Sequence, residues 1–300
     1  MKVLITGANG YIGTRLLPVL LEKNHEIVCL VRDGQRFLER SDFGDKVQII
    51  TGDLLKEASI KAIPPDIDAA YYLVHSVTDT PEFSRMEALS AHNFVQALNH
   101  TNCKQIIFLS GIVDDGKLTV NHSSRKHIED ILREAKAGLT VLRTSIIIGR
   151  GSPLFEMICA LIDRLPIILA PSWVKARCQP IALCDTLGYL EGVLLNEKAL
   201  NQTFDIGGPD VLTIKELMLT YAKTCKLGRK IIVLPFLLPK LSSYWLHGLT
   251  TASYPLARSL VGSIINQAIM HNHSIDKVVP RQCLTYKEAL GFCLYDEKIN

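Results

Sequence analysis

The sequence predicts an α/β fold: a doubly wound parallel sheet covered by helices on both faces, joined to a smaller, mainly helical C-terminal lobe. Three observations carry this prediction. Short β-branched apolar runs alternate with longer helical patterns through the first half of the chain, as βαβ units require. A glycine-rich turn follows the first of these runs directly. Hydrophobic residues make up 48% of the 300 and charged residues 21%, a globular composition that excludes a disordered or collagen-like chain.

The strands are read at Lys2–Thr6, Glu26–Val31, Val47–Ile50, Ala69–Val74, Gln105–Leu109 and Thr140–Arg143. Each is a short run rich in Val, Ile or Leu, as a strand buried on both faces needs. Helices are expected at 11–23, 83–99 and 123–136. Pro18 falls inside the first, where it removes a backbone donor and predicts a kink. Beyond Gly149 the pattern loosens. A helix is expected at 153–164 and another from Ile181 to Leu195, with Asp185 as its N-cap. Thr203–Ile206 reads as a strand closed by Gly207, Gly208 and Pro209. Thr213 with Glu216 three residues on forms a capping box. The expected organisation is a core of residues 1–150 to which the chain returns at about 177–206. Residues 151–176 and 207–300 form the lobe.

Lys and Arg total 33 against 30 Asp and Glu, a net charge of +3 with no basic stripe, so electrostatics give no case for nucleic acid. No apolar run approaches the ~20 residues of a membrane span. The eight cysteines form no Cys-x-x-Cys pair and several lie in apolar runs. They read as reduced, buried thiols rather than disulfides or metal ligands. The N-terminal apolar run breaks at Gly7, too early for an export signal. A cytoplasmic protein without a metal is expected.

The sharpest signal is Thr6-Gly7-Ala8-Asn9-Gly10-Tyr11-Ile12-Gly13. It lies between a strand and a helix, the context a dinucleotide site requires. Gly7 permits the tight turn, Gly10 the approach of a pyrophosphate, and Gly13 the close packing of helix on strand. The helix amides then face negative charge.

The Gly-x-x-Gly-x-x-Gly spacing resembles the extended and atypical branches of the short-chain dehydrogenase/reductases, a Rossmann-fold superfamily. Gly52-Asp53-Leu54, Tyr72-Leu73-Val74-His75-Ser76, Phe108-Leu109-Ser110-Gly111 and Leu142-Arg143-Thr144-Ser145-Ile146-Ile147-Ile148-Gly149 fall in register with that superfamily. So do Gln179 to Asp185 and Phe204 to Pro209. The set covers about residues 1–225 and is most similar to the NmrA-like, YbjT-like group. That group in turn resembles a nucleotide-binding accessory subunit of respiratory complex I. The resemblance implies a nicotinamide dinucleotide at Gly7, Asn9, Gly10, Tyr11, Ile12 and Gly13. It also implies adenine contacts at Asp53 and Leu54, with Leu73 and His75 beside the cofactor. Arg32, first off the second strand, favours NADP(H) over NAD(H), because a guanidinium suits a phosphate. Asp33 keeps NAD(H) in play, and Arg36 is a second candidate phosphate contact.

The resemblance also implies a Tyr-x-x-Ser-Lys catalytic set, and here the sequence departs from it. The matching stretch is Asn121-His122-Ser123-Ser124-Arg125, with Asn121 at the Tyr position and Arg125 at the Lys position. A shift of one residue instead sets His122 and Lys126 four apart. Asn is no general acid near neutral pH, and Arg stays charged. His122 titrates in the useful range, and His75 is a second candidate. Ser110 keeps the place of the family's substrate-polarising hydroxyl. The region from Ile231 to Ile265 is aromatic and aliphatic. It suits an apolar substrate pocket, a plain packed lobe, a homodimer face or an interfacial membrane helix. His271-Asn272-His273 reads as exposed and polar rather than metal-binding. Two functions follow. One is an NADP(H)-dependent oxidoreductase with a non-standard proton donor and an unknown small-molecule substrate. The other is a cofactor-binding redox sensor or accessory subunit without turnover.

Overall fold

A computed structural model describes residues 1–40, 43–74, 81–112, 120–234 and 267–295. The expected strands all form, and they assemble into one parallel sheet of seven. Its members are β1 (Lys2–Thr6), β2 (Glu26–Val31), β3 (Gln48–Thr51), β4 (Ala69–Tyr72), β5 (Gln105–Gly111), β6 (Gly138–Thr144) and an edge strand at Thr203–Ile206. From one edge to the other the order is Thr203–Ile206, β6, β5, β4, β1, β2, β3. The crossover between β3 and β4 returns the chain to the middle, so the ends of β1 and β4 flank a crevice, the usual ligand position in such sheets.

Helices cover both faces. On one, α1 (Gly13–Glu22) buries Leu16, Leu17 and Leu20, while α2 (Gly34–Arg40) buries Phe37. On the other lie α3 (Pro81–Leu98) and α4 (Val120–Leu132). Alternation along the strands divides the core accordingly. Ile5, Tyr71, Ile107 and Leu142 pack toward α1, and Leu4, Tyr72, Ile106 and Val141 toward α3 and α4. Tyr71 and Tyr72 are therefore core. The Tyr71 hydroxyl donates to the Leu190 carbonyl at 2.8 Å, and the Tyr72 ring lies 4.9 Å from that of Phe94. Pro18 is accommodated inside α1.

After β6 come β7 (Ile147–Ile148), α5 (Pro153–Arg164), β8 (Ile167–Pro171), β9 (Arg177–Cys178), β10 (Ile181–Ala182) and α6 (Leu183–Gly192). The edge strand Thr203–Ile206 is β11. It is followed by β12 (Leu212–Thr213), α7 (Ile214–Thr224), β13 (Lys230–Leu234) and α8 (Tyr286–Tyr295). A second apolar cluster joins α5, α7 and α8. Three two-stranded sheets, β7–β10, β9–β12 and β8–β13, were not expected. Two corrections follow from packing. The helix expected from Ile181 begins at Leu183 with Ala182 as N-cap. Asp185 instead lies buried in the first turn, where it accepts from Arg281 Nε and the Leu284 amide, both at 2.8 Å. The helix expected at 123–136 spans 120–132.

Candidate functional site

The first turn is built by steric exclusion. Gly7 adopts φ +73°, and a Cβ there would stand 2.7 Å from the Leu73 carbonyl oxygen. Gly13 lies so close to Ala8 that a Cβ would come within 2.8 Å of its Cα. Only glycine fits either place. The Gly10 amide donates to the Gly7 carbonyl at 2.9 Å. The amides of Tyr11, Ile12 and Gly13 have no acceptor among the described residues. They open α1, where unpaired donors and the helix dipole favour an anion.

A cleft of about 390 Å³ opens over this turn. Gly7, Asn9 and Gly10 line one side, Arg32 the end of β2, and Asp53 and Leu54 the turn after β3. Leu73 and Val74 continue the wall beyond β4. Tyr11, Ile12 and Gly13 are not part of the lining. The Tyr11 ring carries the Arg15 guanidinium 4.2 Å from its centroid, and its hydroxyl is buried against Gly149. Burial pushes that phenol's pKa well up, against the pull of Arg15. His75 lies outside the described residues.

The acid and the base at the end of β2 have separate surroundings. Arg32 is exposed and lines the cleft. Asp33 Oδ1 accepts the Arg36 amide at 2.9 Å and caps α2. Asp53 is partly occupied too. Its Oδ1 accepts the Leu55 amide at 3.0 Å, and the residue lines the cleft.

The wall opposite β2 was missed in the sequence. Phe83, Met86, Glu87 and Ser90 of α3 line the cleft. Their spacing of three, four and seven is one helical face. The stripe mixes apolar, acidic and hydroxyl side chains, which hid it from a search for apolar periodicity.

The ends of β5 and β6 carry the rest. Ser110 pairs with Arg143 across the ladder, and Gly111 with Thr144. Ser110 is 2% exposed, yet its hydroxyl has no hydrogen-bond partner among the described residues, and the same holds for the buried hydroxyls of Thr144 and Ser145. Arg125 of α4 lies against Gly111, in the place a Cβ would fill. Asn121 stands one turn before Arg125 in the same helix, and His122 one turn before Lys126. The helix is fixed to β6 by a bidentate pair. Arg143 Nη2 and Nε donate to Glu129 at 2.6 and 3.2 Å, and the Glu129 side chain is 2% exposed. Elsewhere, His271 Nδ1 and its amide both meet the buried Asp205 carboxylate at 2.8 Å.

The NAD(P)H-binding family profile matches residues 7–147. UDP-glucose 4-epimerase of Klebsiella pneumoniae is 32% identical over 124 residues, 37% of this chain and 88% of that protein. The 40 kDa subunit of the NADH-ubiquinone oxidoreductase of Neurospora crassa is 22% identical over 218 residues, 71% of this chain and 57% of that protein. In three other curated relatives the match spans 33–38% of their length. Among solved structures, the NADPH-dependent quinone oxidoreductase QOR2 of Escherichia coli, complexed with NADPH, superposes with a TM-score of 0.74. The superposition covers 97% of this chain and 99% of that one at 17% identity, a likeness that establishes the fold. No helix among the described residues is long and apolar enough to cross a membrane. The chain belongs to the NAD(P)-binding short-chain dehydrogenase/reductase family.

Proposed function

We propose that the protein is an NADP(H)-dependent oxidoreductase acting on a small, largely apolar substrate. The observation that carries this reading is Ser110, whose buried hydroxyl at the end of β5 has no hydrogen-bond partner among the described residues. Buried polar groups are nearly always paired, so such a hydroxyl points to a ligand. The free amides of Tyr11, Ile12 and Gly13 suit a pyrophosphate, with Gly7, Asn9 and Gly10 as its floor. Asp53 and Leu54 take the adenine side, and Leu73 and His75 the ribose and nicotinamide side. Arg125 offers a fork of donors to ribose hydroxyls. Arg32 supports NADP(H), because it faces the cleft while Asp33 is engaged as a helix cap. Bound NADPH supplies the hydride. In this reading His122 delivers the proton that Asn121, in the tyrosine's place, has no means of giving.

A second reading is a non-catalytic cofactor-binding subunit or redox sensor. The similarity to the Neurospora respiratory subunit over 71% of the chain favours it. NADPH oxidation against a panel of quinones, enones and isoprenoid ketones decides between the two. The enzyme reading expects turnover that His122→Ala cuts by ~10²–10⁴-fold with NADPH affinity unchanged. Tight NADPH binding without oxidation by any acceptor selects the second reading.

A further inference from the structure

The small parallel sheet of β8 and β13 has two apolar faces, and the second apolar cluster covers one of them. The register sets Ile167 beside Lys230, Ile168 beside Ile231, Leu169 beside Ile232 and Ala170 beside Val233. Side chains alternate between faces along a strand. Ile168, Ala170, Ile231 and Val233 accordingly pack into the cluster of α5, α7 and α8. The other face carries Ile167, Leu169 and Ile232, which are 52%, 45% and 47% exposed. A sheet with one solvated face ordinarily turns polar side chains to water. Here the outward positions stay aliphatic, and the three side chains adjoin one another.

The charge around this face is equally one-sided. Residues 163–184 and 217–234, which contain the two strands and their flanking turns, hold seven Lys and Arg against one acid, Asp163. That is a net +6 in a chain whose total is +3. The Asp163 carboxylate accepts the Tyr221 hydroxyl at 3.2 Å. Arg229 donates to the carbonyls of Ile162 and Asp163 at 2.6 and 2.9 Å, neutral acceptors that leave its charge uncancelled. Lys226 and Lys230 are exposed, and Lys230 stands on the apolar face itself, beside Ile167. The two segments are distant in sequence, and only strand pairing brings their charge together.

We infer that this face docks on an anionic lipid surface, whichever reaction the cleft serves. Aliphatic side chains standing among cations can enter the acyl boundary while the cations meet phosphate headgroups. A stable protein partner ordinarily covers about 800 Å² on each side, well beyond three side chains. Nucleic acid is gripped through hydrogen bonds to base edges or stacking on aromatic rings. The outward positions of β8 and β13 hold no aromatic ring, amide or hydroxyl.

The test is co-sedimentation of the full chain with two kinds of vesicle. One is phosphatidylcholine alone, and the other contains roughly 30 mol% phosphatidylglycerol to supply negative surface charge. The protein should bind the anionic vesicles and not the neutral ones, and about 0.5 M salt should weaken binding by screening. Lys226→Gln with Lys230→Gln should weaken it about 20-fold, at about fivefold for each cation lost. Leu169→Gln with Ile232→Gln should weaken it ~10-fold or more. The melting temperature of that variant should match the parent's, because both side chains already meet water. In Leu169→Trp, the added fluorescence should shift to the blue on anionic vesicles. Parent-like binding by the Leu169→Gln, Ile232→Gln variant would show adsorption by charge alone and overturn the inference. Equal binding to both vesicles, or none to either, would overturn it as well. A parent dimer that the same variant dissociates would make this face a contact between copies and overturn the lipid assignment.

Discussion

The turn between β1 and α1 and the ends of β5 and β6 are held by different kinds of force. At the β1–α1 end, backbone meets backbone, and Gly7 and Gly13 exclude every side chain larger than hydrogen. At the ends of β5 and β6, side chains do the holding. A charged pair, Glu129 with Arg143, ties helix to strand, and the hydroxyls of Ser110, Thr144 and Ser145 at these strand ends are buried without a partner among the described residues. A backbone cradle tolerates almost no substitution, so it stays readable as a motif. A side-chain wall can exchange its chemical groups while its position persists. The cofactor half was accordingly recognisable, and the reacting half was not.

The largest effect should come from the backbone end. A Cβ at Gly10 meets only the Gly7 carbonyl, at 3.1 Å. Gly10→Val should therefore fold, with unchanged circular dichroism, while its side chain fills the floor of the cleft. NADPH binding by calorimetry should be abolished, and retained affinity would break the contrast. Next comes the clamp. Glu129→Gln leaves the Arg143 guanidinium short of its counter-charge. Arg143 keeps 26% of its side chain exposed, so the loss in urea unfolding should be about 3 kcal/mol, the low end for a broken buried pair. A loss below ~1 kcal/mol would place the pair among ordinary surface bridges.

Arg32→Ala sharpens the comparison within the cofactor half. NADPH should weaken by about 1.5–3 kcal/mol, the range for hydrogen bonds to charged groups, and NADH hardly at all. Equal losses would mean that Arg32 does not read the 2′-phosphate. The smallest effect lies far from the cleft. The Thr213 amide and hydroxyl hold the Glu216 carboxyl below its ordinary pKa. A depressed carboxyl pKa stabilises the fold above the ordinary value and loses that contribution as pH falls through the depressed one. Glu216 is exposed, so solvent limits the term to a few tenths of a kcal/mol. Between pH 6 and 3, stability should fall slightly less for Glu216→Gln than for the parent. An identical fall would show that the cap is electrostatically silent.

Local signals survived folding. The capping box at Thr213 forms as its sequence implies, with Glu216 Oε2 accepting the Thr213 amide at 2.7 Å. The glycine turn and the strands were equally legible, because each depends on neighbours in the chain. What depends on distant partners was hidden. Asp185 has the chemistry of a helix cap, but Arg281, 96 residues away, holds its carboxylate. Asp33 read only as a residue that keeps NAD(H) in play, and its bond from the Arg36 amide was not legible. Strands of two residues, such as β7 and β10, are too short to show a period. Thr144 and Ser145 entered only as letters in a resembled segment. Nothing in the sequence marks a hydroxyl as lacking a partner.

The Glu129–Arg143 clamp has a consequence for how such a site changes over time. Glu129 lies eight residues beyond Asn121 in α4, about two turns along the helix. The anchoring point and position 121, where the resembled pattern has a tyrosine, are thus separate parts of one rod. Replacement at 121 alters what the helix can donate without loosening where the helix sits, and Arg125 keeps its place over Gly111. A lineage carrying this arrangement can lose a proton donor in one step and remain a well-formed cofactor protein. It can then acquire a different donor, or a different task, from an intact starting scaffold.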